Sequence, residues 1–186
     1  MQERLLAETY YVIEQATKAG LVENLTSELV ENFNFTRNCW FESLRLVPPT
    51  SVSGAACFSE DTTIGKVRIE KDLGFIVSMF AMHMDPTEWI NPEAFLPDRF
   101  DSTHALSLRP DGSKRNPQTF NPFLGGKRVC LGKSFAEITT RLTLPLLYYH
   151  FDFKFADESK GVINYHMGQP KTPVINFNFT VKNIPN

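Results

Sequence analysis

The chain has 186 residues, 42% of them hydrophobic, with 19 basic and 21 acidic side chains and a formal net charge of −2. This length fits one domain, and 16 phenylalanines supply ample bulk for a hydrophobic core, so the composition excludes a disordered chain. The lack of a basic excess argues against a nucleic-acid partner, and no apolar run approaches the roughly 20 residues that span a bilayer.

The three cysteines, Cys39, Cys57 and Cys130, are an odd number with no CxxC or CxxCH spacing. A disulfide framework, a zinc knuckle and covalent c-type haem attachment are therefore poorly supported, and reducing surroundings are favoured. The first residues also lack the charged, apolar and small-residue regions of a secretory signal.

Residues 1–20 are predicted to form a helix, because Leu5, Leu6, Tyr10, Ile13 and then Ala16 or Ala19 recur near a spacing of 3.6 and Gly20 is a typical stop signal. No capping residue precedes the first turn, which is typical of a sequence that begins within a longer helix. Residues 29–35 are predicted as a short helix or loop.

A second long helix is predicted over residues 37–46, closed by the prolines at 48 and 49. Residues 51–82 are prone to form strands, with turn signals at 59–62 and at Gly74, and indicate several short strands. Four prolines between 85 and 110 predict an irregular, well-packed segment, followed by a polar surface loop over 111–118.

The segment 120–132 is rich in glycine and proline, and a helix is predicted after it over residues 131–144, where Pro145 should end or kink it. From residue 149 to 181 apolar and polar residues alternate, which predicts two half-buried strands.

The strongest chemical signal is the glycine-rich segment 123–132, which brings Cys130 to the start of a predicted helix. The positive end of a helix favours a thiolate, the form of cysteine that binds iron or acts as a nucleophile. Gly126 and Gly132 would let the backbone approach a flat ligand, Phe123 would shield the sulfur, and Arg128 would face a carboxylate of that ligand.

Two other interpretations of this segment stay open. Cys130 could be a buried structural cysteine beside a turn, as most cysteines are. Gly132, Lys133 and Ser134 resemble the end of a phosphate-binding loop, but five residues rather than four separate Gly126 from Gly132, and no strand is predicted before the loop.

Two weaker signals precede this segment. Glu42 and Arg45 lie three residues apart on one predicted helix face, a spacing that alone indicates only a solvated ion pair. Residues 97–100, Pro-Asp-Arg-Phe, form a proline turn that carries Arg99.

This sequence resembles the cytochrome P450 family in the order of three motifs. They are Glu42-x-x-Arg45, then Pro97-Asp98-Arg99-Phe100, then FxxGxRxCxG over residues 123–132. The segment from His83 to Pro97, with Trp89, is similar to the stretch that precedes the cysteine loop in that family, and the resemblance covers essentially the whole chain.

The resemblance implies haem b as cofactor, with Cys130 as the axial thiolate and only metal ligand, and Arg128 as a partner of a haem propionate. Phe123, Gly126, Gly132 and Ala136 would line the haem, and no further catalytic residue is expected in this chain. Glu42, Arg45 and Arg99 would form a buried charge cluster that locks the irregular segment beneath the cofactor. A thiolate ligand favours O–O cleavage, which suits monooxygenation.

The expected fold is mixed α and β, mainly α with small β-sheets, and corresponds to the C-terminal part of a P450-like domain. The expected organisation is helices with the ExxR motif over 1–50, a small sheet over 51–82, a meander and loop over 83–119, the cysteine loop over 120–132, a proximal helix over 132–148 and strands over 149–186.

The sequence contains no counterpart of the long helix that crosses the distal face of haem and delivers protons to oxygen. The expected function is therefore a haem-thiolate monooxygenase of which this chain supplies the proximal haem-binding half, and the alternative is a non-catalytic, partial P450-like chain. Apolar surface around the cysteine loop should then be open to water.

Charge is unevenly distributed, because residues 114–141 carry six basic side chains and one acidic one, or +5 against −7 elsewhere. The resemblance implies that this stretch, near Lys127 and Lys133, docks an electron donor such as a flavin reductase or a ferredoxin. It also implies O2 and a small apolar organic substrate as co-reactants, and attachment to the endoplasmic reticulum or another membrane through an anchor outside these residues.

Overall fold

The helices of this chain frame an irregular middle segment, and the described residues also form three small antiparallel pairs of strands. The computed structural model describes residues 1–20, 27–156, 164–166, 169–171 and 177–182. In chain order the elements are α1 (Gln2–Lys18), α2 (Ser27–Glu31), α3 (Asn34–Leu46), β1 (Thr62–Ile64), β2 (Val67–Ile69), α4 (Met79–His83), α5 (Lys133–His150), β3 (Phe151–Phe155), β4 (Asn164–His166), β5 (Gln169–Lys171) and β6 (Phe177–Val181). The mixed α and β class with small sheets is confirmed.

The buried face of α1 differs from the predicted one. Leu5, Thr9, Val12 and Ala16 are buried, whereas Tyr10 is exposed. Thr9 escapes a search for apolar residues, but its hydroxyl donates to the Leu5 carbonyl at 2.7 Å and so needs no water. Val12 and Ala16 then meet Leu29 and Phe33 in a core cluster between α1, α2 and the start of α3.

Helix α3 receives its N-terminal cap from another helix. Its own N-cap position, Phe33, offers no side-chain acceptor. Glu8 of α1 accepts instead from the backbone N–H groups of Phe35 and Thr36, at 2.6 and 2.9 Å, and from the Thr36 hydroxyl at 2.8 Å. A carboxylate at a helix N-terminus satisfies free N–H groups and interacts favourably with the helix dipole. This contact fixes the start of the helix that carries Glu42 and Arg45.

Residues 51–82 contain fewer strands than predicted and one unpredicted helix. β1 and β2 form a hairpin in which Thr62 lies opposite Ile69. Two isolated bridges, Val52 with Ser78 and Ala56 with Phe75, are the remaining pairings among these residues. The last residues form α4, because the Ser78 hydroxyl accepts from the Ala81 N–H and starts a helix turn.

The irregular character predicted for residues 85–110 agrees with the structure. Short 3-10 turns at Pro97–Phe100 and Ala105–Ser107 are the regular elements in this segment, and a third follows at Pro117–Thr119. No strand precedes the glycine-rich segment within residues 84–119, where a phosphate-binding loop would require one.

Helix α5 begins two residues later than predicted and does not end at Pro145. It continues to His150 with Pro145 buried inside it. Proline lacks the N–H that would bond to the carbonyl four residues earlier, so it weakens a helix by about 3 kcal/mol. Packing of α5 against α1, α2 and α3 offsets this loss, which the sequence pattern around one proline does not reveal.

The two predicted C-terminal strands are present as β3 and β6, which pair antiparallel with Phe151 opposite Val181. The antiparallel pairing of β4 with β5 was not predicted. The predicted strand start near Ile175 lies outside the described residues. No helix in the described part of the chain combines the length and the apolar character needed to cross a membrane.

Candidate functional site

The glycine-rich segment forms a tight loop that turns back on itself before α5. The Leu124 N–H donates to the Asn121 carbonyl at 3.2 Å, and a 3-10 turn follows at Gly126–Arg128. Gly126 has φ of +60°, a left-handed conformation that favours glycine. The Cys130 N–H donates to the Phe123 carbonyl at 2.9 Å. This bond closes the loop and sets Cys130 three residues before Lys133, the first residue of α5.

Cys130 is an exposed free cysteine at the wall of an open cavity of about 370 Å³. Phe123, Arg128 and Ala136 line the same cavity, so four of the predicted haem-site residues meet there. The other walls come from α3, from residues 49–54 and from Met79, and are largely apolar. The cavity is therefore a groove between α3, residues 49–54 with Met79, and the cysteine loop.

Gly126 and Gly132 do not line this cavity. Gly132 has a φ of −82°, which any residue can adopt, and a Cβ built on it would lie 3.7 Å from the Cys130 Sγ, an ordinary contact. Its predicted role as the point of close approach for a flat ligand stays a prediction. The Phe123 ring packs on Trp40 of α3, with ring centroids 5.9 Å apart.

Arg128 is exposed, and no carboxylate among the described residues pairs with it. In the described part of the chain it is therefore a guanidinium without an ion-pair partner, at the wall of a largely apolar cavity. Beside it, Val129 and the fully exposed Leu131 of the loop present large apolar side chains, and so do Phe135 and Ile138 in the first two turns of α5, which are 74% and 46% exposed. Exposed hydrophobic groups grouped in this way mark an interaction surface.

Glu42, Arg45 and Arg99 come together in one buried cluster, with side chains 0% exposed. The Glu42 carboxylate accepts from the Arg45 Nε and Nη2 at 2.8 Å each, and from the Arg99 Nε at 3.0 Å. It also accepts the Leu96 N–H at 2.8 Å. Four bonds to one carboxylate compensate the cost of burying its charge.

The two arginines use their remaining N–H groups on backbone carbonyls of the irregular segment. Arg99 donates to Ile90, to Asn91 at 2.7 Å and to Ala94 at 3.3 Å. Arg45 donates to Ala94 at 3.1 Å and to His83 at 2.9 Å. Because burial disfavours its charge, the pKa of Arg99 is lowered. The cluster thus ties α3 to a segment that has little regular structure of its own.

Arg115 lies next to this buried cluster, although in sequence it is one of the basic residues of the stretch 114–141. Its guanidinium lies 3.9 Å from the ring centroid of Trp89, which is fully buried, and Arg45 lies 5.1 Å from the same centroid. It donates to the carbonyls of Leu106 at 2.7 Å and Glu88 at 3.1 Å. Burial lowers the pKa of Arg115 to about 10. No local sequence signal distinguishes it from a solvated arginine.

The basic surface near the loop is therefore smaller than the charge count suggests. Arg141 is also buried, beside Glu137 at 3.5 Å, and Arg115 is directed inward. Lys114, Lys127, Arg128 and Lys133 remain exposed.

The residues present fit a flat iron porphyrin. Within the described part of the chain no group of three or more His, Cys, Asp or Glu side chains could hold a metal ion. In haem proteins the porphyrin supplies the equatorial ligands of the iron, so Cys130 alone is a sufficient protein ligand for such a group. The apolar cavity suits the ring, and the unpaired Arg128 suits a carboxylate on it.

Comparison with known proteins agrees with these observations. A family model described as cytochrome P450 matches residues 1–175. The (+)-vincadifformine 19-hydroxylase of Catharanthus roseus is 35% identical over 130 residues, which cover 70% of this chain and 25% of that protein. Tabersonine 3-oxygenase, also of Catharanthus roseus, is 32% identical over 138 residues, covering 74% and 26%. Cytochrome P450 3A29 of Sus scrofa is 33% identical over 137 residues, covering 72% and 26%. The chain spans about a quarter of the length of these relatives.

Proposed function

Since this chain belongs to the cytochrome P450 family, we propose that it supplies the proximal, haem-binding part of a monooxygenase, with Cys130 as the axial ligand. One observation carries the proposal: the exposed Cys130 lines an apolar cavity together with Phe123, Ala136 and an unpaired Arg128. Relatives whose names describe a hydroxylase and an oxygenase support the reaction class.

Each residue has a distinct part in this proposal. Cys130 binds the iron as a thiolate, and the nearby N-terminus of α5 is favourable to its negative charge. Arg128 pairs with a propionate, while Phe123 and Ala136 contact the ring. When bound, haem with a thiolate ligand supplies the activation of O2 that inserts one oxygen atom into an organic substrate.

The reaction also requires electrons, and we propose that the donor docks at Lys127 and Lys133. Both side chains are exposed; Lys127 lies within the loop that carries Cys130, and Lys133 is the first residue of α5. An acidic flavin reductase or ferredoxin would be steered to this surface by charge complementarity, with an association rate that falls as ionic strength rises.

The decisive experiment is a reduced carbon monoxide difference spectrum of the full chain reconstituted with haem. We expect the band of thiolate-ligated haem in the wild type and its loss in Cys130→Ala. Cys57→Ala is the matched control, because Cys57 is also a free, exposed cysteine and does not line the cavity. A band that survives in Cys130→Ala, or that disappears in Cys57→Ala, contradicts the proposal.

The docking proposal has its own test. Lys127→Glu with Lys133→Glu should slow reduction at low salt and reduce its dependence on ionic strength, whereas Lys114→Glu, an exposed lysine away from Cys130 in sequence, should leave both unchanged. Equal reduction kinetics in all of these proteins would remove this surface from consideration.

A further inference from the structure

His83, the last residue of α4, lies between the Glu42 cluster and the cysteine loop. It is fully buried, and its ring packs on Phe120 with centroids 5.3 Å apart. Its carbonyl accepts from the Arg45 Nη1 at 2.9 Å, and its Nε2 accepts the backbone N–H of Asn121 at 3.2 Å. One residue thus contacts the charge cluster through its backbone and the loop through its side chain.

The imidazole must be neutral to make this contact. An N–H donor faces Nε2, so that nitrogen presents its lone pair and the proton sits on Nδ1. Nδ1 is buried without a hydrogen-bond partner, although backbone groups of Arg45 and Leu44 lie near the ring. A buried donor left unpaired is costly. Among the described residues, the bond from the Asn121 N–H is thus the hydrogen bond that orients this ring.

Two backbone hydrogen bonds link the position of Asn121 to that of Cys130. The Asn121 carbonyl accepts from the Leu124 N–H at 3.2 Å, which sets the first turn of the loop. The Phe123 carbonyl, inside that turn, accepts from the Cys130 N–H at 2.9 Å. The loop between them contains Gly125 and Gly126, whose backbones have the greatest freedom in the unfolded chain. An external anchor at Asn121 therefore limits where the Cys130 sulfur can lie.

We propose that His83 is a positioning residue for Cys130: by accepting the Asn121 N–H it attaches the start of the cysteine loop to the buried Glu42 cluster. That Cys130 is an iron ligand, so that its position matters for haem binding, rests on the proposed function. The attachment itself concerns the chain alone and can be measured without haem.

Two substitutions separate the hydrogen bond from the packing of the ring. His83→Gln keeps an acceptor near the position of Nε2, and His83→Phe keeps a planar ring without one. The measurement is backbone hydrogen exchange in the full chain without haem, followed by NMR or mass spectrometry over residues 117–124. Exchange over residues 10–18 of α1 monitors the overall fold, and His150→Gln, at an exposed histidine, is the matched control.

We expect the Asn121 amide to exchange about five- to tenfold faster in His83→Phe, the change that one ordinary hydrogen bond produces, and to stay close to the wild-type rate in His83→Gln. With haem bound, the thiolate band should weaken in His83→Phe and be restored in His83→Gln. An Asn121 amide that exchanges at the same rate in all of these proteins overturns the proposal. Faster exchange of this amide in His83→Gln also overturns it, and this second comparison remains available if His83→Phe does not fold.

These outcomes are distinct from failure of the proposed function. If the Cys130→Ala spectrum shows no thiolate ligation while loop exchange follows the His83 acceptor, the positioning role stands and the haem role of Cys130 does not. If ligation is present but loop exchange ignores His83, the reverse holds.

Discussion

Acidification from pH 7 to pH 4 should lower the free energy of unfolding through His83. Burial lowers the pKa of this imidazole from 6.5 to about 4, and the charge of Arg45 acts in the same direction. Between these values the unfolded chain binds a proton that the folded chain excludes, so stability is full above pH 6.5 and is lost as the pH falls toward 4. At about 1.4 kcal/mol per unit over about 2.5 units, the loss is about 3 kcal/mol.

The assay is urea unfolding at pH values between 7 and 4.5, followed by fluorescence of the buried Trp40 and Trp89. His83→Gln does not titrate, so the difference between its stability curve and that of the wild type isolates the histidine. His150→Gln, at an exposed position, controls for the loss of a histidine as such. Asp98, whose pKa is lowered by its bond to Arg4, loses its contribution at lower pH than this window.

The result that refutes this reasoning is a slope of stability against pH that is the same in the wild type and in His83→Gln between pH 6.5 and 4.5. It would mean that the buried imidazole can be protonated in the folded chain, because water or a shifted backbone carbonyl accepts a hydrogen bond from Nδ1–H and stabilises the charged ring. A slope that disappears in His150→Gln would assign the effect to the wrong residue.

Three further changes should act through single contacts. Glu42→Gln should lower the free energy of unfolding by about 3–5 kcal/mol in urea titrations, because two buried guanidinium groups lose their counter-charge, whereas Asp61→Asn, in an exposed ion pair, should change it little. Glu8→Gln should cost about 1 kcal/mol, measured in the same way, since it weakens the cap of α3; an unchanged midpoint would show that the cap is dispensable. Arg115→Lys should lower the melting temperature by several degrees, because lysine cannot lie flat on Trp89 while bonding several carbonyls, and a wild-type melting curve would contradict this.

The parts of the site that lie close in sequence could be predicted from it. Glu42 and Arg45 are three residues apart on one helix, and the predicted site residues that line the cavity with Cys130, namely Phe123, Arg128 and Ala136, lie within seven positions of it. Local spacing determines such contacts once the helix or loop is assigned. Arg99 was joined to them only through the order of motifs, because nothing local places a residue 57 positions away from Glu42 beside it.

The residues that support the site from a distance could not be predicted. Glu8 caps a helix 27 residues further along the chain, and Arg115 closes over Trp89. In sequence each is a charged residue in a polar setting, and charged residues of this kind usually face solvent. The burial of Thr9 and Pro145 could not be predicted for a related reason. It depends on how α1 and α5 pack, and this packing overrides the local preference of threonine and proline.

The cysteine loop illustrates why such distant supports matter. Its glycines permit the turn at Gly126 but provide no packing, so the loop must be held by its ends. At the first end, Phe120 packs against Phe100 at 4.7 Å, and Asn121 is held by His83. At the other end α5 begins. The position of Cys130 therefore follows from the packing of the helices and the irregular segment against the loop. The loop sequence alone identifies the cysteine, but it does not contain the residues that fix its position.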